Sequence, residues 1–170
     1  MPVSYEDFVA ARLPAILRYA TALTGSPTLA EDVVQEVLVR AQARWRRVSS
    51  VERPEAYVRR MVLNEYLSWR RRRSSRDLAV PPETMEGLVP RVADAAAAHG
   101  DRDQLRRALA GLPRRQRAVL VLRFYEGRTD AEIAADLGCS TGTVRSHASR
   151  ALAGLRTALR AEEASWTSTS

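Results

Sequence analysis

Residues 129–152 read TDAEIAADLGCSTGTVRSHASRAL, and the fold turns on this stretch. Thr129 and Glu132 stand at the spacing of a capping box, in which a hydroxyl and a carboxylate satisfy each other's backbone amides at a helix start. Ile133, Ala134 and Leu137 follow on one helical face, and Gly138 supplies a tight turn. A second helix is predicted from about Thr141, with Val144, Ala148, Ala151, Leu152 and Leu155 facing the first. This is the size and pattern of a helix-turn-helix. The small Ala134 permits close crossing, and Val144 locks the pair. Thr141, Thr143, Arg145, Ser146, His147, Ser149 and Arg150 occupy the opposite face. An ordinary helical hairpin shares the apolar pattern. The row of donors is what suits a helix entering the major groove.

Upstream, Leu105, Ala108, Leu109 and Leu112 predict one helix. Pro113 starts another, with Val119, Leu120, Leu122 and Phe124 on its apolar side and Gly127 as its stop. Positions 74–100 contain Pro81, Pro82, Gly87, Pro90 and an alanine tract at 95–98, which together predict a mobile linker. Before it, a cap at Ser4 leads into a helix carrying Phe8, Leu13, Ile16, Leu17, Ala20 and Leu23, ended by Gly25. Ser26-Pro27 restarts the chain as a helix over 27–46, burying Leu29, Val33, Val37, Leu38 and Trp45. Its other face keeps Glu31, Asp32, Gln35 and Glu36 for solvent or a partner. A third long helix is predicted from Pro54, with Tyr57, Val58, Met61, Val62, Tyr66 and Trp69 on a broad apolar face and Arg70, Arg71, Arg72 and Arg73 at its end. Cations are favoured at a helix C-terminus, and such a run also suits phosphate. The expected fold is all-α: two small helical domains, 1–75 and 101–160, a flexible linker at 76–100, and a polar tail at 161–170 that need not fold.

The net charge is +7 and every one of the 27 basic residues is Arg. Positions 1–39 hold two Arg against five acidic residues, whereas 40–76 and 101–160 each hold twelve Arg against three and six. Two basic blocks behind an acidic start fit a polyanionic partner. The single cysteine, Cys139, excludes an internal disulfide and cannot alone bind zinc. No stretch approaches the roughly 18 apolar residues of a membrane span, and the start lacks the pattern of a signal peptide, so the cytoplasm is the expected compartment. His99 and His147 lie in the linker and the second helix of the motif, with no acid–base set around them. An enzyme is therefore disfavoured, and no cofactor or metal is expected.

Three segments together resemble bacterial sigma factors of the extracytoplasmic-function type, and within them the compact actinobacterial SigE-like group. They are LTGSPTLAEDVVQEVLVRAQARW at 23–45, RPEAYVRRMVLNEYLSWRRRR at 53–73 and LPRRQRAVLVLRFYEGRTDAEIAADLGCSTGTVRSHASRAL at 112–152. The likeness implies a domain equivalent to sigma region 2 and one equivalent to region 4, with function in promoter recognition and melting. It implies that Asp32, Gln35 and Glu36 dock on core RNA polymerase. It assigns the helix from Pro54 to the −10 element, with Asn64 near an unstacked base and Arg59, Arg60 and Arg70–Arg73 on the DNA backbone. Tyr66 is either a −10 contact or a core residue, while Trp69 fits the core. At the −35 element it places Thr141, Thr143, Arg145, Ser146, His147 and Arg150, with Thr143 either on phosphate or capping locally. Ala148 departs from the family's usual leucine. Arg114, Arg115 and Arg117 suit phosphate or the polymerase flap equally. An anti-sigma factor is an expected partner. The competing reading is a stand-alone helix-turn-helix regulator that binds an operator without polymerase; it leaves the acidic stripe at 31–36 without a role.

Overall fold

The computed structural model describes residues 3–74 and 100–167, except for the side chains of 69–74 and 101. All regular structure among them is helical, and the chain divides into two compact units. The expected linker at 76–100 lies, but for Gly100, outside the described residues.

In the first unit, capping residues set where each helix begins. Ser4 Oγ accepts from the Asp7 amide at 3.1 Å and opens α1, Tyr5–Thr24, which ends at Gly25 with φ 71°. That left-handed turn suits glycine, which has no Cβ to clash. Ser26 Oγ then accepts from the Leu29 amide at 3.3 Å, and Pro27 begins α2, Pro27–Ala43. The sequence predicted one helix to 46, but the chain breaks at Arg44 and resumes as the short α3, Trp45–Val48. The break swings Trp45 back onto α1, where its ring meets Phe8 at 4.9 Å and Tyr5 at 5.5 Å between centroids. Its indole N–H donates to the Val3 carbonyl at 2.9 Å. Packing of one large aromatic outweighs the loss of helix continuity.

Helix α4, Pro54–Ser74, packs against both α1 and α2. Ile16, Tyr19, Leu23, Val34, Val37, Val58, Val62 and Leu63 form the buried centre. One charge enters this interior: Glu65 is 4% exposed and is bridged by Arg40 of α2.

The second unit comprises α5 (Gly100–Ala110), α6 (Arg114–Leu120), a π turn (Val121–Tyr125), α7 (Asp130–Leu137) and α8 (Thr141–Thr167). Helices α5, α6 and α7 all pack on α8. Leu112, Leu120 and Ala151 form a buried cluster, flanked by Leu109, Leu152 and Leu155.

Two expectations are corrected in this unit. Phe124 was predicted on the apolar face but is 66% exposed. The π turn is the cause: the Glu126 amide reaches back to the Val121 carbonyl at 3.1 Å, and the extra residue in the turn rotates Phe124 off the buried line while Leu122 stays within it. The predicted polar tail at 161–170 is instead helical through Thr167. An ion pair between Arg107 of α5 and Glu162, at 3.4 Å, ties that extension to its neighbour.

Candidate nucleic-acid interface

The capping box is formed as the spacing required. Thr129 Oγ1 accepts from the Glu132 amide at 3.3 Å, and Glu132 Oε2 accepts from the Thr129 amide at 2.8 Å. The Thr129 amide, and then the Thr129 hydroxyl at 3.2 Å, donate to the Glu132 carboxylate and hold it below the usual carboxylate range. Gly138, with φ 63°, turns the chain from α7 into α8.

Ser140 caps α8: its Oγ accepts from the Thr143 amide at 3.1 Å and lies 2.9 Å from the Thr143 hydroxyl. Thr143 is exposed beside this cap, its hydroxyl within reach of Ser140 and open to solvent. Val144, Ala148 and Ala151 are buried against the rest of the unit. Ala148, which stands where the family's usual residue is leucine, is buried on this line. Arg145, Ser146, Ser149 and Arg150 are exposed along the opposite face, and Thr141 and His147 are half-buried at its margins.

Two residues of α8 have charged neighbours. His147 keeps its Nδ1 buried and without a hydrogen-bond partner. Burial, and then the cations of Arg115 and Arg150, lower its pKa from the ordinary 6.5, so it is neutral near pH 7. Arg145 is 68% exposed, and its Nε lies 3.6 Å from Asp130 Oδ2. The other oxygen of Asp130 is bound by Arg123 of the π turn. That hydrogen bond first, and the charges of Arg123 and Arg145 with it, hold the Asp130 carboxyl below its ordinary value.

The three arginines at the start of α6 separate. Arg117 is buried, with an Nη donating to the Leu112 carbonyl at 3.4 Å, which removes it from any surface role. Arg115 is exposed and donates to the Leu137 carbonyl at 3.3 Å, and Arg114 is half-buried.

In the first unit, Asp32, Gln35 and Glu36 are exposed on α2, opposite the buried Ala30, Val33, Val34 and Val37. Glu36 also pairs with Arg40 at 3.5 Å. On α4, Arg60 and Asn64 are exposed and lie four residues apart, hence on one face. Arg59, expected on the DNA backbone, is half-buried instead; it donates to Glu55 at 2.6 Å and stacks 5.6 Å over the Tyr19 ring. Tyr66 is 2% exposed and belongs to the core rather than to a base-stacking surface. The side chains of Trp69 and Arg70–Arg73 lie outside the described residues.

Residues 8–76 match the sequence profile of sigma-70 region 2, and residues 102–155 match that of sigma-70 region 4. The chain is 37% identical over 161 residues to the RNA polymerase sigma-E factor of Streptomyces avermitilis, covering 95% of this chain and 88% of the relative. It is 37% identical over 167 residues to the ECF RNA polymerase sigma factor SigL of Mycobacterium tuberculosis, covering 94% and 89%. The chain belongs to the extracytoplasmic-function sigma factors. Within them it falls in the SigE-like actinobacterial group. A solved complex of the Bartonella quintana sigma factor RpoE with the anti-sigma factor NepR shares the fold at a TM-score of 0.68 and 28% identity, covering 92% of this chain and 96% of that one.

The two profile matches fall on the two units, so region 2 is α1–α4 and region 4 is α5–α8. Sigma factors direct RNA polymerase to promoters and are not enzymes themselves. Among the described residues no helix is long and apolar enough to cross a membrane, and no cluster of His, Cys, Asp and Glu is placed to hold a metal. Sequence reasoning missed Arg123 and Asp130 as neighbours of Arg145. Asp130 was legible only as part of a capping box, and the π turn that brings Arg123 alongside leaves no periodic signal.

Proposed function

We propose that region 4 of this sigma factor reads the −35 element with α8, and that region 2 reads the −10 element with α4 while docking on core polymerase through α2. The observation that carries this is the exposed face of α8, where Arg145, Ser146 and Arg150 stand clear of the core on a helix whose N-terminus is rigidly capped. Arg145 and Arg150 supply forks for base edges or phosphate, and Thr141 and His147 flank them. On α4 the working set is Arg60 and Asn64, continued by Arg70–Arg73. Asn64, which both donates and accepts, suits the edge of an unstacked base. Asp32, Gln35 and Glu36 form an acidic face that repels DNA and fits a basic protein surface. An anti-sigma factor, by analogy with the solved complex of the Bartonella relative, is the expected regulatory partner, and the cytoplasm the expected compartment.

Transcription from a genomic promoter library, with core polymerase alone and with this protein added, tests the reading. New start sites sharing two spaced sequence blocks support it. Tight operator binding by the protein alone, with no new starts, contradicts it and favours a stand-alone regulator.

A further inference from the structure

Arg145 does not stand alone on the DNA-facing side of α8. Its Nε lies 3.6 Å from Asp130 Oδ2, and Asp130 Oδ1 accepts from an Nη of Arg123. The carboxylate thus divides its two oxygens between two guanidinium groups, one on the π turn and one on the recognition helix. Asp130 is the first residue of α7, directly after the Thr129 cap, and its backbone is fixed by the capping box. Arg123 and Asp130 are each roughly a quarter exposed, whereas Arg145 is 68% exposed. The chain of contacts runs from an anchored group outward to a free-standing one.

A long arginine on a helix surface samples many rotamers, and ordering it on DNA costs on the order of 1–2 kcal/mol. Guanidinium carries five donors in a rigid plane. Holding it at Nε leaves the paired Nη donors at its tip for the bidentate contact that distinguishes guanine from other bases. A carboxylate beside the groove is otherwise unfavourable, since it faces phosphate. Its presence beside an arginine of the reading face, braced by a second arginine behind it, is accounted for by orientation rather than by attraction to DNA.

We propose that Asp130 is a positioning residue for promoter recognition, holding Arg145 by its Nε so that its tip reads one base pair, with Arg123 fixing the carboxylate in turn. This rests on the reading of α8 as the −35 helix. It separates specificity from affinity: Asp130 contributes base discrimination while opposing backbone binding.

The test uses the full chain assembled with core polymerase and a promoter pool randomised across the −35 element. Asp130→Asn is expected to lower discrimination at a single base pair by about three- to tenfold, the partial loss of one bidentate contact. Total binding to the pool stays level or rises, because one negative charge has left the interface. Arg145→Ala is expected to lower discrimination at the same base pair, and adding Asp130→Asn to it gives no further loss there. Arg123→Gln affects that base pair in the same direction by a smaller factor. A merely structural role for Asp130 predicts something different: weaker binding by the same factor at every position, with discrimination unchanged. That result, or unchanged discrimination in Asp130→Asn, overturns the proposal. If Arg145→Ala itself leaves every position unchanged, the reading of α8 fails at this residue; if only Asp130→Asn is silent, the positioning role alone fails.

Discussion

Helices α4 and α8 carry similar sequences of arginine and small or apolar residues, yet they present them differently. On α4, Arg59 turns inward to Glu55 and Tyr19, and Tyr66 is buried, which leaves Arg60 and Asn64 on the open face. On α8, Arg145 and Arg150 both stand out, and the buried line is made of Val144, Ala148 and Ala151. The packing partners explain the contrast. Helix α4 lies against α1 and α2, and α8 against α5, α6 and α7; in each, the residues in phase with the packed side are buried and those out of phase stand clear. Residue type alone does not mark a DNA contact; helix phase and the neighbour's carboxylates do.

The largest effect expected from breaking this contrast is at Tyr66. Tyr66→Ala removes a 2%-exposed aromatic and is expected to cost about 3–5 kcal/mol of stability. Asn64→Ala, two residues away on the exposed side, stays within about 0.5 kcal/mol of wild type but weakens promoter opening. Chemical denaturation of the two variants, side by side, measures the difference. Next comes Arg40→Ala, which removes a paired cation from beside the buried Glu65. Because Arg40 is itself partly exposed, the expected loss is about 2 kcal/mol, between the values for surface and buried pairs, with part of it recovered by Glu65→Met in the same chain.

Smaller still is a difference within α8. Arg150→Ala is expected to reduce the slope of log binding constant against log salt by about 0.9, the release of one phosphate contact. His147→Ala leaves that slope unchanged near pH 7, since burial keeps the imidazole neutral. Titrating DNA affinity at four salt concentrations separates them. The smallest effect concerns acid. Asp130 and Glu132 both have carboxyl pKa values depressed in the fold, so the unfolded chain takes up protons first as pH falls. Their stabilisation is complete above the ordinary carboxylate range and is lost as pH drops through the depressed values. Thermal midpoints measured from pH 6 to pH 3 are expected to fall less in the double variant Asp130→Asn, Glu132→Gln than in wild type.

Much of this architecture was legible because its signals are local. Caps at Ser4, Ser26 and Thr129, and turns at Gly25 and Gly138, fix helix limits through backbone bonds within a few residues. The apolar period then gave the buried face of α8 and the exposed stripe of α2. Features set by distant neighbours were not legible. The break at Arg44 depends on Trp45 meeting Tyr5 and Phe8, some forty positions earlier in the chain. The inward turn of Arg59 depends on Tyr19. The outward turn of Phe124 depends on a π turn, which changes helical phase without any residue type that announces it. Continuation of α8 beyond 160 was missed for a similar reason, because polar residues there are held by an ion pair to α5.

If α4 and α8 read two separate promoter elements, the base preferences of the assembled polymerase divide between the two helices. Preferences would be measured across a library randomised in both blocks, for wild type, Asn64→Ala and Arg145→Ala. Asn64→Ala is expected to alter preferences only in the downstream block, and Arg145→Ala only in the upstream one. Both variants acting on the same block, or neither acting on any, would contradict that reading.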